Sequence, residues 1–365
     1  MSRFSLWAAL LGSMFFLLIW LPGVSMACTR VLYVGDDGTV VTGRNMDWSE
    51  DQGTNLWAFP AGMQRDGAAG DNSVRWVSRY GSVVATTYES AIGDGMNEKG
   101  LVAGVLWLAE SEYGGHPNRP NMSVAAWVQY VLDNYASVNE TVAGLQKESF
   151  NLVRPVLPGG KPANVHLVVS DASGDSAIFE YIDGKITIHH DRQYVVVTNS
   201  PTYDQQIAIN AYWKTVGGLN FLPGTISAAD RFVRASFFIN AIPKNLDTRY
   251  SSALPDKTFA EQAVASVLGV QRTVSTPLGI AVTGQPNISS TIWRTTADQS
   301  HLVYFFDSAT RPNTFWVALG KLDLAPGAKA KRLSLQNGEV YSGEVSGQFV
   351  AAEPFRFCEA QPKEH

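Results

Sequence analysis

The sequence predicts an α+β fold in which two antiparallel sheets carry helices on their outer faces within a single domain. Three observations predict it. Strand-like runs separated by hairpin signals open the chain, recur at 164–198 and return near its end, whereas helical periodicity is confined to 122–148 and 203–269. No linker or internal repeat divides the chain, and its 365 residues, 45% hydrophobic and 17% charged, suffice for a large core. Blocks of strands and blocks of helices, rather than strict βαβ alternation, favour sheets packed on each other over a parallel sheet.

Taken in order, residues 1–27 read as a secretory signal peptide. Arg3 supplies the positive end, Leu6 to Leu21 is an uncharged apolar run, Pro22-Gly23 breaks it, and Ser25 and Ala27 are small residues three and one before the cut. Cleavage there makes residues 28–365 the mature domain, places it in the periplasm or outside the cell, and leaves no stable membrane anchor. A retained anchor and a lipidated Cys28 are the rival readings, although Ser25 suits a lipoprotein signal poorly. Cys28 to Val34 and Thr39 to Asn45 form a hairpin around Asp36-Asp37-Gly38. Val74 to Tyr88 and Gly100 to Leu108 are strand-like. Val124, Trp127, Val128, Val131, Leu132 and Tyr135 recur at helical spacing, predicting a helix over 122–136, with a second over Val138 to Glu148. Strands follow at Val165 to Val169, Ser176 to Tyr181, Lys185 to His189 and Tyr194 to Thr198, then helices at about 203–215, 228–241 and 259–269. Ser227 and Asp230 have capping-box spacing. Ile288 to Leu319 returns to hairpin strands about a turn at Asp298-Gln299.

Cleavage after Ala27 would leave Cys28 with a thiol and a free α-amine on one residue. Both have unperturbed pKa values of about 8 to 8.5, so the amine can take the thiol proton, directly or through a water, and no histidine is required. The same removal takes only Arg3 from the charged set, leaving 27 basic and 33 acidic residues and a net charge of −6. That sign argues against nucleic acid as a partner. The six histidines show no metal-ligand spacing, the adjacent pair His189-His190 falls on opposite faces of a strand, and no phosphate-binding glycine loop appears, so neither metal nor cofactor is expected. Cys358 is the other cysteine. In an oxidising compartment a Cys28–Cys358 disulfide is the competing reading, and it would make the chain a non-catalytic secreted binding protein. Arg44-Asn45-Met46-Asp47-Trp48 ends the strand that folds back towards Cys28, bringing a guanidinium that favours thiolate and a carboxylate that can orient the amine.

Cys28 at the processed terminus, Gly43-Arg44-Asn45-Met46-Asp47-Trp48, Asp94-Gly95-Met96-Asn97-Glu98-Lys99-Gly100-Leu101, Thr198-Asn199-Ser200-Pro201-Thr202-Tyr203 and Asp230-Arg231-Phe232-Val233-Arg234 together resemble the ordered motifs of the choloylglycine hydrolase family, across essentially the whole mature chain. That family holds conjugated bile salt hydrolases and penicillin V acylases. The resemblance implies an αββα four-layer sandwich of the N-terminal nucleophile type and hydrolysis of a linear amide C–N bond through an acyl-thioester. By the same resemblance Cys28 is the nucleophile, Asp47 binds its amine, Arg44 lies beside the sulfur, Asn199 donates to the oxyanion, and Arg231, rather than Arg234, is the second active-site arginine. Trp107 stands where the bile salt hydrolases usually carry asparagine, which resembles the Gram-negative branch, with Trp48 and Trp107 flanking the acyl group. An indole offers one donor and no acceptor, so any further oxyanion contact there falls to backbone N–H. Two aromatic walls favour a phenoxyacetyl or fatty acyl group over a hydroxylated steroid. The resemblance thus points to penicillin V or N-acyl-homoserine lactones before conjugated bile salts, and leaves a homo-oligomer open.

Overall fold

A computed structural model describes residues 28–160, 163–281, 289–353 and 355–361; the predicted signal peptide lies outside them. The first hairpin forms because Gly38 supplies the left-handed turn conformation (φ 88°) and Asp37 accepts from the Thr39 amide at 2.8 Å. It pairs Thr29–Val34 with Val40–Trp48 in the register Thr29↔Asn45 and Arg30↔Arg44. These strands sit in a seven-stranded sheet ordered Val196–Val197, Thr29–Val34, Val40–Trp48, Ser290–Asp298, Val303–Ser308, Phe315–Ala318, Gly343–Glu344. The second sheet has nine strands: Lys185–His190, Ser176–Ile182, Val165–Ser170, Val102–Trp107, Ala91–Asn97, Ser82–Thr87, Leu56–Phe59, Lys331–Leu333 and Val350–Ala351.

Five α-helices are present among the described residues. Two of them, α1 (Val124–Asn134) and α2 (Val138–Leu145), cover the outer face of the second sheet, while α3 (Tyr203–Val216), α4 (Ala228–Ala241) and α5 (Phe259–Thr273) lie on the side of the first, α4 and α5 directly against its strands and α3 against α4. The result is the four-layer αββα arrangement. One core joins the two sheets to α4 and α5 through residues such as Val41, Leu56, Phe232 and Val267, and another joins the second sheet to α1 through Val84, Trp127 and Phe179.

Expected and observed elements differ in instructive places. The run Val74 to Tyr88 is two strands, Arg75–Val77 and Ser82–Thr87, and the unexpected strand Ala91–Asn97 lies beside the second. Gly93 and Gly95 disguise that strand, and close packing is why they are there: a Cβ on Gly95 would come within 2.6 Å of Val84 Cγ1 and 2.7 Å of the Val83 carbonyl. At α4, Ser227 accepts from the Asp230 amide, but the Asp230 carboxylate turns to Thr225, so the cap is one-sided; the reciprocal capping box forms at Thr258 and Glu261 of α5.

Buried polar side chains tie the sheets to each other. Arg30 donates to Ser176 Oγ at 3.0 Å and to the Val169 carbonyl at 3.2 Å, and Thr42 shares a 2.8 Å bond with Ser170. Gln299 donates to the carbonyls of Gly100 and Ser170, while Thr295 and Tyr304 both donate to Asp94 Oδ2, at 2.8 and 2.6 Å. Each of these crosses between layers, and each satisfies groups whose burial alone would cost stability.

Candidate active site

Strand alternation separates the groups around Cys28. Arg44, Met46 and Trp48 line the cavity on the second-sheet side, whereas Asn45 and Asp47 point to the helices, Asn45 donating to the Gln271 carbonyl of α5 at 2.9 Å. Cys28 lies at the start of the neighbouring strand, 2% exposed, with Sγ 3.8 Å from the Asp47 carbonyl. Its backbone N–H donates to Asn199 Oδ1, and Asn199 Nδ2 donates to the Trp107 carbonyl at 2.7 Å. Arg231, on α4 and fully buried, donates to the Cys28 carbonyl at 2.6 Å, to Thr29 Oγ1 and to Asn199 Oδ1 at 2.9 Å, with Asp47 Oδ2 at 3.8 Å. Arg234 instead turns outward to the carbonyls of Pro223 and Thr225.

Asp47 is brought to this cluster, although the hydrogen bond from the Cys28 nitrogen goes to Asn199. Its Oδ1 accepts from Thr291 Oγ1, and its Oδ2 is buried without a hydrogen-bond partner among the described residues. Arg44 donates to the Val105 carbonyl at 2.6 Å and stands 4.0 Å from Asp94 Oδ1, its guanidinium carbon 5.1 Å from the Trp293 ring centre. Burial pushes the Cys28 thiol up, opposed chiefly by the Arg44 charge. Burial likewise pushes the Asp47 carboxyl up to about 6, against the pull of Arg231 and the Thr291 bond. The thiol is therefore neutral at pH 7 and needs a base when it reacts.

Cys28 and Arg44 open on a cavity of about 60 Å³ lined mainly by apolar side chains, including Trp48, Ile92, Trp107 and Val124. The two indoles meet edge to face, with ring centres 5.9 Å apart and planes at 65°, rather than as parallel walls. Trp48 Nε1 donates to Tyr88 Oη at 2.7 Å. No group of three or more metal-ligating side chains occurs among the described residues. His189 and His190 bond to Glu180 and Asp175, so their contacts hold strands together.

All seven residues singled out from the sequence, Cys28, Arg44, Asp47, Asn199, Arg231, Trp48 and Trp107, gather within this one region. The two cysteines are unpaired, which excludes the disulfide reading. Cys28 belongs to the core between the sheets and Cys358 packs against the core under α1, with Sγ 3.8 Å from the Val156 carbonyl. Sequence reasoning missed Thr291, Gln206, whose Nε2 holds the Asn199 carbonyl at 3.0 Å, and Gln52 in the cavity wall. Asp94 stood inside a quoted motif without a role; its place opposite Arg44 depends on how the sheets stack.

The family model described as linear amide C–N hydrolases, choloylglycine hydrolase family, matches residues 28–336. Penicillin V acylase of Pectobacterium atrosepticum is 48% identical over 352 residues, covering 92% of this chain and 93% of that protein. The solved structure of penicillin V acylase from Agrobacterium tumefaciens aligns with a TM-score of 0.82 and 51% identity over 91% of this chain and 100% of that one. A bile salt hydrolase/transferase of Bifidobacterium longum is 27% identical over 247 residues, 60% of this chain and 76% of its own length. With this match spanning the described domain and the four-layer sandwich in place, the chain belongs to the choloylglycine hydrolase family of linear amide C–N hydrolases.

Proposed function

We propose that the chain, exported and cut before Cys28, is a penicillin V acylase-like amidase in which the Cys28 thiol is the nucleophile and its own α-amine the base. The observation that carries this is the position of Cys28: its sulfur side lines an apolar pocket, while its nitrogen lies in a buried cluster of Asn199, Arg231 and Asp47. A peptide nitrogen has one N–H and an ammonium three. Asn199 Oδ1 takes one, and the unpartnered Asp47 Oδ2 is an acceptor for another. The family match also opens at residue 28.

In the reaction the amine takes the thiol proton as sulfur attacks the amide carbon and a C–S bond forms. Arg44 favours negative charge on the sulfur, and the second hydrogen of Asn199 Nδ2 is free of the Trp107 bond and available to the oxyanion. Collapse breaks the C–N bond as the amine returns the proton to the leaving nitrogen, and water then cleaves the thioester by the same shuttle. A cavity of about 60 Å³ is smaller than the ~150 Å³ that admits benzene, so the acyl group enters by parting wall side chains. A flat ring or a linear chain asks for the least parting and a steroid for much more. Phenoxyacetyl and fatty acyl amides, penicillin V and N-acyl-homoserine lactones among them, therefore rank ahead of conjugated bile salts.

The test is intact mass and N-terminal sequencing of the exported protein, followed by amine release from penicillin V, a long-chain N-acyl-homoserine lactone and glycocholate. A Cys28 terminus with turnover of either of the first two is expected. A blocked Cys28, or turnover of glycocholate alone, overturns the reading.

A further inference from the structure

His166 and Glu180 are each 1% exposed and have no part in the reaction described above. They stand on the paired strands Val165–Ser170 and Ser176–Ile182 and reach the segment that carries Asn199. Glu180 accepts from His166 Nδ1 at 3.1 Å, from His189 Nε2 at 3.3 Å, and from the Tyr203 amide with its two oxygens at 3.1 and 3.2 Å. The other ring nitrogen of His166, Nε2, lies 3.0 Å from the Thr198 carbonyl. The pair therefore grips the backbone on both sides of Asn199, at Thr198 before it and at Tyr203 where α3 begins. On the far side of Glu180, His189 Nδ1 is 3.6 Å from Asp204 Oδ1, and the Tyr203 ring centre is 5.1 Å from that of His189.

The partners of His166 fix its hydrogens. A carbonyl oxygen only accepts, so Nε2 carries one. Burial opposes ionisation of Glu180, but the bonds from His166, His189 and the Tyr203 amide bring it down to about 2, so at neutral pH it is a carboxylate that only accepts as well. Nδ1 then carries the second hydrogen. A neutral imidazole, with one N–H and one lone pair, would set that lone pair against one of the two acceptors. We infer that His166 is a positioning residue for the oxyanion donor: held as an imidazolium by Glu180, it fixes the Thr198 carbonyl and with it the peptide that leads into Asn199. The bond is charge-assisted and so stronger than one from a neutral ring. Asn199 Nδ2 already gives one hydrogen to the Trp107 carbonyl, so a turn of this peptide would take its second hydrogen away from the oxyanion. This inference rests on the amidase reading above.

The charge is tested on the wild-type protein by ¹H–¹⁵N spectra of the histidine rings at pH 7, with His166 assigned by its loss in His166→Gln. Hydrogens on both ring nitrogens are expected, and Glu180→Gln should leave only one. A neutral His166 ring in the wild type overturns the inference, whether or not the variants fold. The positioning role is tested on the amide that the wild type turns over best. His166→Gln, which carries no charge and donates from one atom only, should lower kcat about ten- to hundredfold with KM within about twofold, since the donor acts in the transition state. In an Asn199→Ala background, itself about 10²–10³ below the wild type, the same substitution should cost almost nothing further. An equal cost in both backgrounds, or a loss confined to KM, overturns the role of His166 while leaving the amidase intact. Absence of turnover by the wild type on every amide removes the amidase reading and this role with it.

Discussion

At Cys28 and its neighbours the balance of burial and charge fixes what each group does with its proton. The thiol is raised by burial, so replacing it with the less acidic hydroxyl of Cys28→Ser should preserve the fold and cut kcat/KM on the order of 10³-fold or more, measured beside an unchanged circular dichroism spectrum. Asp47 stays protonated up to about pH 6 in the folded chain, against a usual carboxyl value of 3.8. Between those values the folded state binds more protons than the unfolded one, so this group's contribution to stability falls as pH rises and then stays level above pH 6. Asp47→Asn should therefore lower activity yet raise stability at pH 7, on the order of 2–3 kcal/mol in the uncleaved chain, and flatten denaturant-melt midpoints across pH 4–6. A free ammonium at Cys28 would offset part of that penalty. Glu180 has the opposite sign: burial would raise it, but bonds from His166 and His189 outweigh that and hold it at about 2. Its stabilisation is present above about pH 4.5 and lost as pH falls towards 2, so Glu180→Gln should destabilise by up to about 3 kcal/mol at pH 7 and by little near pH 2. Cys28, Arg44, Arg231, Asp47 and Asn199 were legible as one cluster because each stands in a motif with its neighbours. Thr291, Gln206 and Gln52 were not, because their roles arise from contacts across sheets and loops that no spacing records.

Among elements, the pair of strands Ala91–Asn97 and Val102–Trp107 delivers both Asp94 and the Trp107 wall, and it tolerates little added bulk. A Cβ on Gly104 would meet Asp94 Oδ1 at 2.7 Å and come within 3.5 Å of Arg44 Cδ. Gly104→Ala should accordingly cost about 1–3 kcal/mol and push Arg44 from its place, so that the apparent pKa of kcat/KM for the thiol rises as well. A loss of stability with an unmoved pH profile would mean that the Arg44 position does not depend on this strand. The helices were readable because apolar residues recur at their own period and serine or threonine caps precede them, as Ser123 precedes α1 and Thr258 precedes α5. Strands rich in glycine, or only two or three residues long such as Lys331–Leu333 and Val350–Ala351, carry too little alternation to be read locally and exist because a sheet edge receives them.

For the whole molecule, block order alone indicated two sheets with helices outside, and the resemblance supplied the layer order; strand order and inter-sheet contacts required three dimensions. The side chains that join the layers are also the reason the reacting groups keep their spacing. Bonds from Arg30, Thr42, Gln299, Thr295 and Tyr304 fasten the sheets at several points, much as rivets stop a laminate from shearing. Sliding one sheet by even a fraction of a residue would break several of them together, whereas a substitution in the cavity wall, at Gln52 or Ile92 for example, touches none of them. A chain fastened in this way can exchange residues such as Gln52 and accept a different acyl group while its bond-breaking geometry remains fixed, which makes new substrate ranges accessible without rebuilding the chemistry.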